Sequence, residues 1–207
     1  MRAPYGVILA GGQARRFGGG DKGLLPLGGK PILSRVIERL SPQVAGLAIN
    51  ANGDPGRFSA FGQPVVADSV PDHPGPLAGI LAGLDWAAGE DATHIVTVAA
   101  DTPFFPPDLV PRLLLAAEEA GHPIALATTP DPERIVIRHP TFGLWPVALR
   151  DDLRATLAQD IRKVVLFADK HGAAEAQFPV EPFDPFFNVN TPADLETAQG
   201  MLAGRPA

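Results

Sequence analysis

The sequence has 207 residues and contains no cysteine, which excludes disulfide bonds, thiolate metal sites and cysteine nucleophiles. It has no apolar run long enough to cross a bilayer, and residues 1–5 lack the apolar core of a secretory signal. Acidic residues outnumber basic ones, and the formal net charge of -6 argues against a surface that neutralises many nucleic-acid phosphates. We therefore expect a cytoplasmic protein that contacts neither membrane nor nucleic acid.

Several catalytic motifs are also missing. The sequence has no HExxH and no GxSxG, so zinc hydrolysis and a serine nucleophile elbow have no candidate. A Walker loop needs Gly-Lys followed by Ser or Thr, but Lys22 precedes Gly23 and Lys30 precedes Pro31. Three glycines in the same region match GxGxxG by letter without directly following a strand. We interpret that match as a consequence of glycine richness.

Apolar runs alternate with amphipathic stretches along the whole chain, and no linker divides it, so we expect one domain. The pattern predicts strands at 6–10, 47–50, 64–67, 94–100, 123–128, 135–137 and 141–145, the last two close enough to pair antiparallel. It predicts helices at 31–40, 76–89, 107–120, 151–158, 161–171 and 192–202, the first two beginning at a proline. Such alternation predicts an α/β fold, a Rossmann-like three-layer sandwich with a mainly parallel central sheet.

Ligands of such sheets bind outside the carboxyl ends of the strands. The predicted strands turn polar or glycine-rich at those ends, at Gly11-Gly12, Asn50, Asp68 and Asp101. We therefore expect these four positions to lie close together at one edge of the sheet.

The glycine-rich segment 9–22 follows the first predicted strand. Glycines let backbone N–H groups approach a ligand closely, and successive N–H groups form a concave anion site. Arg15, Arg16 and Lys22 add three cations to a chain that is acidic as a whole. The alternative is a flexible surface loop, which the preceding strand and the clustered cations make less attractive. The segment predicts a site for a triphosphate.

Asp101 follows a buried strand, so its carboxylate is expected to point out of the strand end. Mg²⁺ prefers few carboxylates together with phosphate oxygens and water, which suits a single Asp at this place. The alternative is an Asp that caps the helix near Pro107, but that helix begins too far downstream for a direct cap. Asp68 is equally compatible with a turn. A lone Asn50 beside Gly53 is also typical of a turn, although its amide offers both a donor and an acceptor.

These residues resemble a known family. Leu9-Ala10-Gly11-Gly12, followed by Arg16 and Lys22, resembles the opening of nucleotidyltransferases that couple a nucleoside triphosphate to a phosphorylated acceptor. Residues 15–25 (RRFGGGDKGLL) are similar to one branch, the molybdenum cofactor guanylyltransferases. Four further segments agree with that branch in order and spacing: 50–52, 68–79, 101–103 and 188–192.

The resemblance implies a nucleotide-diphospho-sugar transferase-like fold, with one domain over residues 1–207. It implies transfer of GMP from GTP to the phosphate of molybdopterin, with Mg²⁺ as cofactor. The N-terminal half would bind the nucleotide and the C-terminal half the acceptor, with transient contact to proteins that deliver the molybdenum cofactor. The residues alone leave CTP, another phosphorylated acceptor, or a nucleotide-binding sensor without catalysis open.

The resemblance also implies site residues. GTP contacts fall on residues at the four strand ends and on one lysine: Leu9, Ala10, Gly11, Gly12, Lys22, Asn50, Asp68 and Asp101. Asp101 holds the magnesium ion, and Lys22, Asp101 and Arg16 carry catalysis, with Arg16 assisting the leaving group. Asn188, Asn190 and His139 are implied in molybdopterin binding.

Overall fold

The computed structural model describes residues 3–11, 20–70, 75–133 and 135–204. Its strands, in chain order, are β1 (Tyr5–Leu9), β2 (Pro26–Leu27), β3 (Lys30–Pro31), β4 (Leu47–Asn50), β5 (Val65–Val66), β6 (His94–Ala99), β7 (Ile124–Asp131), β8 (Ile135–Pro146) and β9 (Ala173–Gln177). Its α-helices are α1 (Ile32–Leu40), α2 (Pro76–Gly89), α3 (Leu109–Ala120), α4 (Arg150–Ala158), α5 (Val164–His171) and α6 (Pro192–Leu202).

Seven strands form one sheet in the order β5-β4-β1-β6-β8-β7-β9, and β2 and β3 form a separate hairpin. β8 runs antiparallel to both of its neighbours, while the other neighbouring strands of this sheet are parallel. The chain leaves β1 toward β4 and β5 and then returns to the other side of β1 as β6. This reversal is a topological switch point, where doubly wound sheets leave a crevice for ligands.

Helices cover both faces of the sheet. One core cluster joins buried residues of α1, α3 and α6 to the sheet, and a second joins residues of α2, α4 and α5 to its other face. Apolar side chains that recur on one stripe of a helix must be buried against another layer. The predicted α/β sandwich with a mainly parallel sheet is therefore confirmed. No described helix is both long and apolar enough to cross a membrane.

α2 lies unusually close to the sheet. Its residues 77–84 are all buried, and small residues alternate with large ones over this stretch. A Cβ added to Gly83 would lie only 2.7 Å from Cγ2 of Val7 on β1. Glycine is required there because any side chain would push the helix away from the sheet.

The predicted pairing of separate strands at 135–137 and 141–145 is wrong. Both belong to β8, which pairs with β7 and β6 instead of folding back on itself. The β7–β8 register shifts between Leu126 and Ala127, where β8 passes from His139 to Gly143. Pro140 lies in this irregularity, and a bulge tolerates proline because no ladder N–H is needed there.

Other predicted boundaries need smaller corrections. Pro31 is the residue before α1 and not its first helical residue, whereas Pro76 does begin α2. α3 begins at Leu109 and α5 at Val164, each later than predicted. β9 was not predicted because its sequence AAEAQ has low strand propensity, and its pairing with β7 stabilises it through tertiary contacts.

Candidate functional site

The carboxyl ends of β1, β4, β5 and β6 meet at one edge, as the sequence predicts. The N–H of Ala10 donates to the carbonyl of Asn50 at 2.8 Å, and the N–H of Ala100 donates to the carbonyl of Leu9 at 3.1 Å. On the other side, the N–H of Ala51 donates to the carbonyl of Val66 at 3.0 Å. The ladder thus continues past each strand and brings the polar residues that follow to one place.

The first predicted loop is described in part. Ala10 is buried, Gly11 is exposed, and a Cβ added to Gly11 would meet no atom of the described residues within 4 Å. Gly11 therefore opens onto the crevice, and its backbone is accessible to a ligand. The predicted contacts of Gly12, Arg15 and Arg16 lie outside the described residues.

Lys22 joins the front of the chain to two distant segments. Its Nζ donates to Oδ2 of Asp101 at 3.2 Å and to Oδ1 of Asn190. The side chains of Lys22 and Asp101 keep 18% and 21% of their exposure, so this ion pair is largely shielded yet open on one side. The cation and the carboxylate that the sequence separates by 79 residues lie together at the end of β6.

Asp101 is held by its own neighbours. Oδ1 of its carboxylate accepts from the hydroxyl of Thr102 at 3.3 Å, and its carbonyl accepts from the N–H of Val189 at 2.9 Å. The same hydroxyl also lies within hydrogen-bond distance of Oδ1 of Asn188. The residue that precedes α3 is Asp108, so Asp101 does not cap that helix, and the alternative interpretation of Asp101 is wrong.

The segment 188–190 forms no strand, but its side chains still alternate. Val189 is fully buried, while Asn188 and Asn190 reach Thr102 and Lys22. A capping box at the start of α6, which directly follows this segment, holds it in place. The carboxylate of Asp194 accepts from the N–H of Asn190 at 2.9 Å and from that of Thr191 at 2.8 Å.

Asn50 and Asp68 form a second group of contacts at the end of β4. Nδ2 of the buried Asn50 donates to Oδ1 of Asp68 at 2.9 Å and to the carbonyl of Val66 at 3.2 Å. Asn52 donates to Oδ2 of Asp68 at 2.7 Å and accepts from its N–H at 2.8 Å. Asn50 is therefore no turn residue. Two amides orient the Asp68 carboxylate.

Gly79 explains how Asn50 fits under α2. A Cβ at Gly79 would collide with Oδ1 of Asn50 and would lie 2.9 Å from the side chain of Leu9. Gly79 therefore allows close packing of α2 against β1 and β4. Close packing here also serves the site, because it leaves room for the Asn50 side chain.

His139 lies in a different environment. Its ring stacks on Phe186 with centroids 4.2 Å apart, and its Nε2 lies 2.9 Å from the hydroxyl of Thr129. Burial lowers the pKa of His139, and the charge of Asp184 opposes this only in part. No described contact joins His139 to Lys22 or Asp101. His94 starts β6 at the opposite end of the sheet.

Two residues of the site were not predicted from the sequence as site residues. Asn52 was seen only as part of the 50–52 segment, although its alternation with Asn50 was the available signal. Arg57 had no signal at all, and it donates from Nε to Oδ2 of Asp21 at 2.6 Å. Such a contact between two loops leaves no periodic trace in the sequence.

The described residues contain no group of three or more His, Cys, Asp or Glu that could hold a metal ion. They do place the Asp101 carboxylate at the strand end. The amide oxygens of Asn188 and Asn190 lie near it, because they contact its neighbours Thr102 and Lys22. One carboxylate and neutral oxygens suit a divalent cation that takes its other ligands from phosphate and water. The donor set fits such an ion and not a fully enclosed metal site.

The fold and the site together define a nucleotidyltransferase of the α/β class. A family model, the MobA-like NTP transferase domain, matches residues 6–174. The chain belongs to this family.

Related proteins are similar to this chain over nearly its full length. A molybdenum cofactor guanylyltransferase of Mesorhizobium japonicum is 51% identical over 202 residues, covering 95% of each chain. One of Rhodopseudomonas palustris is 52% identical over 196 residues, covering 93% of this chain and 91% of its own. The structure of molybdopterin-guanine dinucleotide biosynthesis protein A from Archaeoglobus fulgidus superposes with a TM-score of 0.72 at 25% identity, covering 97% of this chain and 99% of that one.

Proposed function

We propose that the protein transfers GMP from GTP to the phosphate of molybdopterin, forming molybdopterin guanine dinucleotide and pyrophosphate. The observation that carries this proposal is the contact of Lys22 with Asp101 and Asn190 at the meeting point of the strand ends. A shielded cation beside a carboxylate suits a triphosphate that arrives with a divalent ion. The names of the relatives supply the guanine nucleotide and the molybdenum cofactor as the substrates.

The nucleotide would lie across the carboxyl ends of β1 and β4. Backbone N–H groups of Gly11 and Gly12 and the ammonium of Lys22 would neutralise the triphosphate. Asp68 offers only acceptor oxygens when ionised, and Asn50 and Asn52 hold it in one orientation. A carboxylate held in this way suits N–H or O–H donors of the base or ribose. Leu9 and Ala10 would contribute backbone contacts beside it.

Asp101 is the residue that would hold Mg²⁺. When bound, the ion supplies positive charge to the phosphate oxygens and lowers the barrier to displacement at phosphorus. The protein's own part is to fix the Asp101 carboxylate, which Thr102 and the backbone of Val189 do from two directions.

The reaction needs no protein nucleophile. A phosphate oxygen of molybdopterin, already ionised at neutral pH, forms the new bond to the α-phosphorus of GTP. The bond from that phosphorus to the oxygen that bridges to the β-phosphorus breaks, and pyrophosphate leaves with its electron pair. Lys22 stabilises the charge on the transferring group, and Arg16 assists the leaving group. Catalysis consists of holding two anions in line and stabilising the transition state.

We assign the acceptor to the C-terminal half of a single domain that spans residues 1–207. Asn188 and Asn190 border the catalytic lysine and Asp101-Thr102, and His139 lies further along the same edge of the sheet. These three residues are proposed to contact molybdopterin. The proposal extends to a cytoplasmic location and to transient contact with proteins that deliver the molybdenum cofactor.

The test is pyrophosphate release from each of the four ribonucleoside triphosphates, with magnesium, in the presence and absence of molybdopterin. The proposal predicts release from GTP that depends on molybdopterin, and a dinucleotide product. Faster release from CTP would instead identify a cytidylyltransferase. Tight binding of GTP with no pyrophosphate release would identify a sensor without catalysis.

A further inference from the structure

Arg57 links two parts of the site that are far apart in sequence. It lies in the short 3-10 helix Pro55–Phe61, between β4 and β5. Its Nε donates to Oδ2 of Asp21 at 2.6 Å, and its Nη2 lies 3.4 Å from Oδ1 of the same carboxylate. The guanidinium also lies over the ring of Phe58, with Cζ 4.6 Å from the ring centroid. The side chain is therefore held from several sides.

The remaining donors of Arg57 bind the backbone of the β4–β5 connection. Nη2 donates to the carbonyl of Asn52 at 2.6 Å, and Nη1 donates to the carbonyl of Asp54 at 2.6 Å. Asn52 in turn holds Asp68 through its side-chain amide. The Arg57 guanidinium thus links Asp21, the residue before Lys22, to Asn52, whose side chain orients Asp68.

Among the residues that the structure describes, Arg57 is the side chain that donates to the Asp21 carboxylate. Asp21 precedes the 3-10 helix Lys22–Leu24, but its side chain makes no capping hydrogen bond there. The side chains of Asp21 and Arg57 keep only 17% and 26% of their exposure. A carboxylate this shielded needs a partner, and removing the partner favours its movement toward water. Because Asp21 is bonded to Lys22 in the chain, such a movement would displace Lys22 from Asp101.

We propose that Arg57 is a positioning residue that fixes the phosphate-side lysine relative to the Asn52–Asp68 pair. It acts through Asp21 and Asn52 and needs no contact with the substrate. Lysine cannot replace it, because one ammonium group cannot reach the Asp21 carboxylate and two backbone carbonyls in a planar fork. This inference rests on the triphosphate site proposed above, but not on which base that triphosphate carries.

The experiment measures dissociation constants of the four magnesium triphosphates for the wild type, Arg57→Gln, Asp21→Asn and the double variant. Residues in direct contact couple by enough to change binding several-fold, so we expect each single variant to bind the preferred triphosphate about tenfold more weakly. The double variant is expected to bind no more weakly than the weaker single variant. Arg57→Lys is expected to resemble Arg57→Gln more than the wild type.

The matched control is Arg154→Gln. Arg154 also pairs with a distant, less exposed aspartate, with Nη2 at 2.7 and 2.8 Å from the two oxygens of Asp85, but on α2 and α4 away from the strand ends. It is expected to lower the thermal midpoint without changing the dissociation constant. Binding is measured below each variant's own midpoint, so loss of folding does not enter.

Two results would overturn the positioning role: binding by Arg57→Gln within twofold of the wild type, or effects of Arg57→Gln and Asp21→Asn that simply multiply. The base preference of the wild type is a separate result. A wild type that prefers CTP would contradict the proposed function. The ratio of each variant's dissociation constant to that of the wild type would still test the role of Arg57. A wild type that binds none of the four triphosphates would contradict both.

Discussion

Two regions of opposite chemistry share the carboxyl edge of the sheet. The polar region, at the ends of β1, β4, β5 and β6, consists of charged and amide side chains that bond to one another: Asp21, Lys22, Asn50, Asn52, Arg57, Asp68, Asp101 and Asn190. The aromatic region, beside β7 and β8, consists of Phe186 and three rings in contact with it: His139, which stacks on it, and Phe142 and Phe178, which meet it edge-on.

The two regions hold their parts in place by different means. In the polar region each charged group is oriented by directional hydrogen bonds, so one lost donor or acceptor leaves a shielded partner unsatisfied. In the aromatic region burial dominates, since Phe142, Phe178 and Phe186 are each at most 2% exposed. Changes in the first region should therefore affect binding and catalysis. Changes at the three phenylalanines of the second should appear mainly in stability, whereas His139 is the member of that region proposed to contact molybdopterin.

The largest effect is expected at the centre of the polar region. Lys22→Ala and Asp101→Ala should each lower kcat by about 10²–10³, because each removes charge that stabilises the transferring phosphate. Circular dichroism and thermal melting should show a folded protein in both cases. Lys170→Ala, which removes an exposed lysine paired with Asp152, is the matched control and should retain wild-type turnover. Near-normal turnover in a folded Asp101→Ala protein would reject the metal assignment.

A smaller effect is expected at Asp68. In Asp68→Asn, an amide N–H₂ would face the amide of Asn50 or Asn52, where a carboxylate oxygen now accepts. The substitution also removes the charged acceptor proposed for a donor of the base or ribose. A hydrogen bond to a charged group contributes about 1.5–3 kcal/mol, so KM for GTP should rise at least tenfold. KM for molybdopterin should not change. Asp151→Asn, at an exposed carboxylate on α4, should change neither constant. Equal effects on both substrates would contradict the assignment of Asp68 to the nucleotide.

The next comparison uses two helical glycines. Gly79→Ala should displace Asn50, weaken GTP binding and destabilise the protein by about 1–3 kcal/mol, as expected for overpacking. Gly200→Ala on α6 meets open space and should stabilise the protein by up to about 1 kcal/mol, because alanine favours the helix. Chemical denaturation measures both values. If Gly79→Ala stabilised the protein and left GTP binding unchanged, the present position of the Asn50 side chain would not be required for GTP binding.

The smallest effect concerns pH. Burial lowers the pKa of His139 and of His94 below the ordinary value, so the folded state takes up protons less readily than the unfolded state. Below about pH 6.5 the unfolded state binds more protons, and the free energy of unfolding should fall as pH drops through that value. The decline should level off once pH is below the folded pKa.

Urea denaturation between pH 7.5 and pH 5 checks this dependence. His139→Asn should have a shallower pH dependence than the wild type, and the remaining slope should diminish further when His94→Asn is added. The slopes are compared, and not the absolute stabilities, because His139→Asn also removes the stacking on Phe186. An unchanged slope in the double variant would assign the pH dependence to other groups.

The polar region was more predictable from sequence than the aromatic one. Its residues follow buried strands in a chain that alternates strands and helices, and parallel strands bring such positions to one edge. The bounds of β4, α2 and α6 agree with the prediction at both ends. For α2 and α6 the reason is local, since Pro76 and the Thr191-Pro192 cap mark the starts.

The remainder depended on contacts that have no local signature. β8 continues through Pro140 only because a shift in its pairing with β7 accommodates the proline. β9 becomes a strand only by joining β7. The Arg57–Asp21 pair joins two loops 36 residues apart. Phenylalanines such as Phe178 and Phe186 are typical of any core, so the contacts of Phe178 and His139 with Phe186 could not be predicted from spacing.

The most direct test of the proposed nucleotide site is a crystal structure of the protein with GTP and magnesium. We predict the triphosphate against Lys22 and Gly11, the cation on Asp101, and the base or ribose within hydrogen-bond distance of Asp68. A triphosphate bound elsewhere, or a cation that does not contact Asp101, would contradict it.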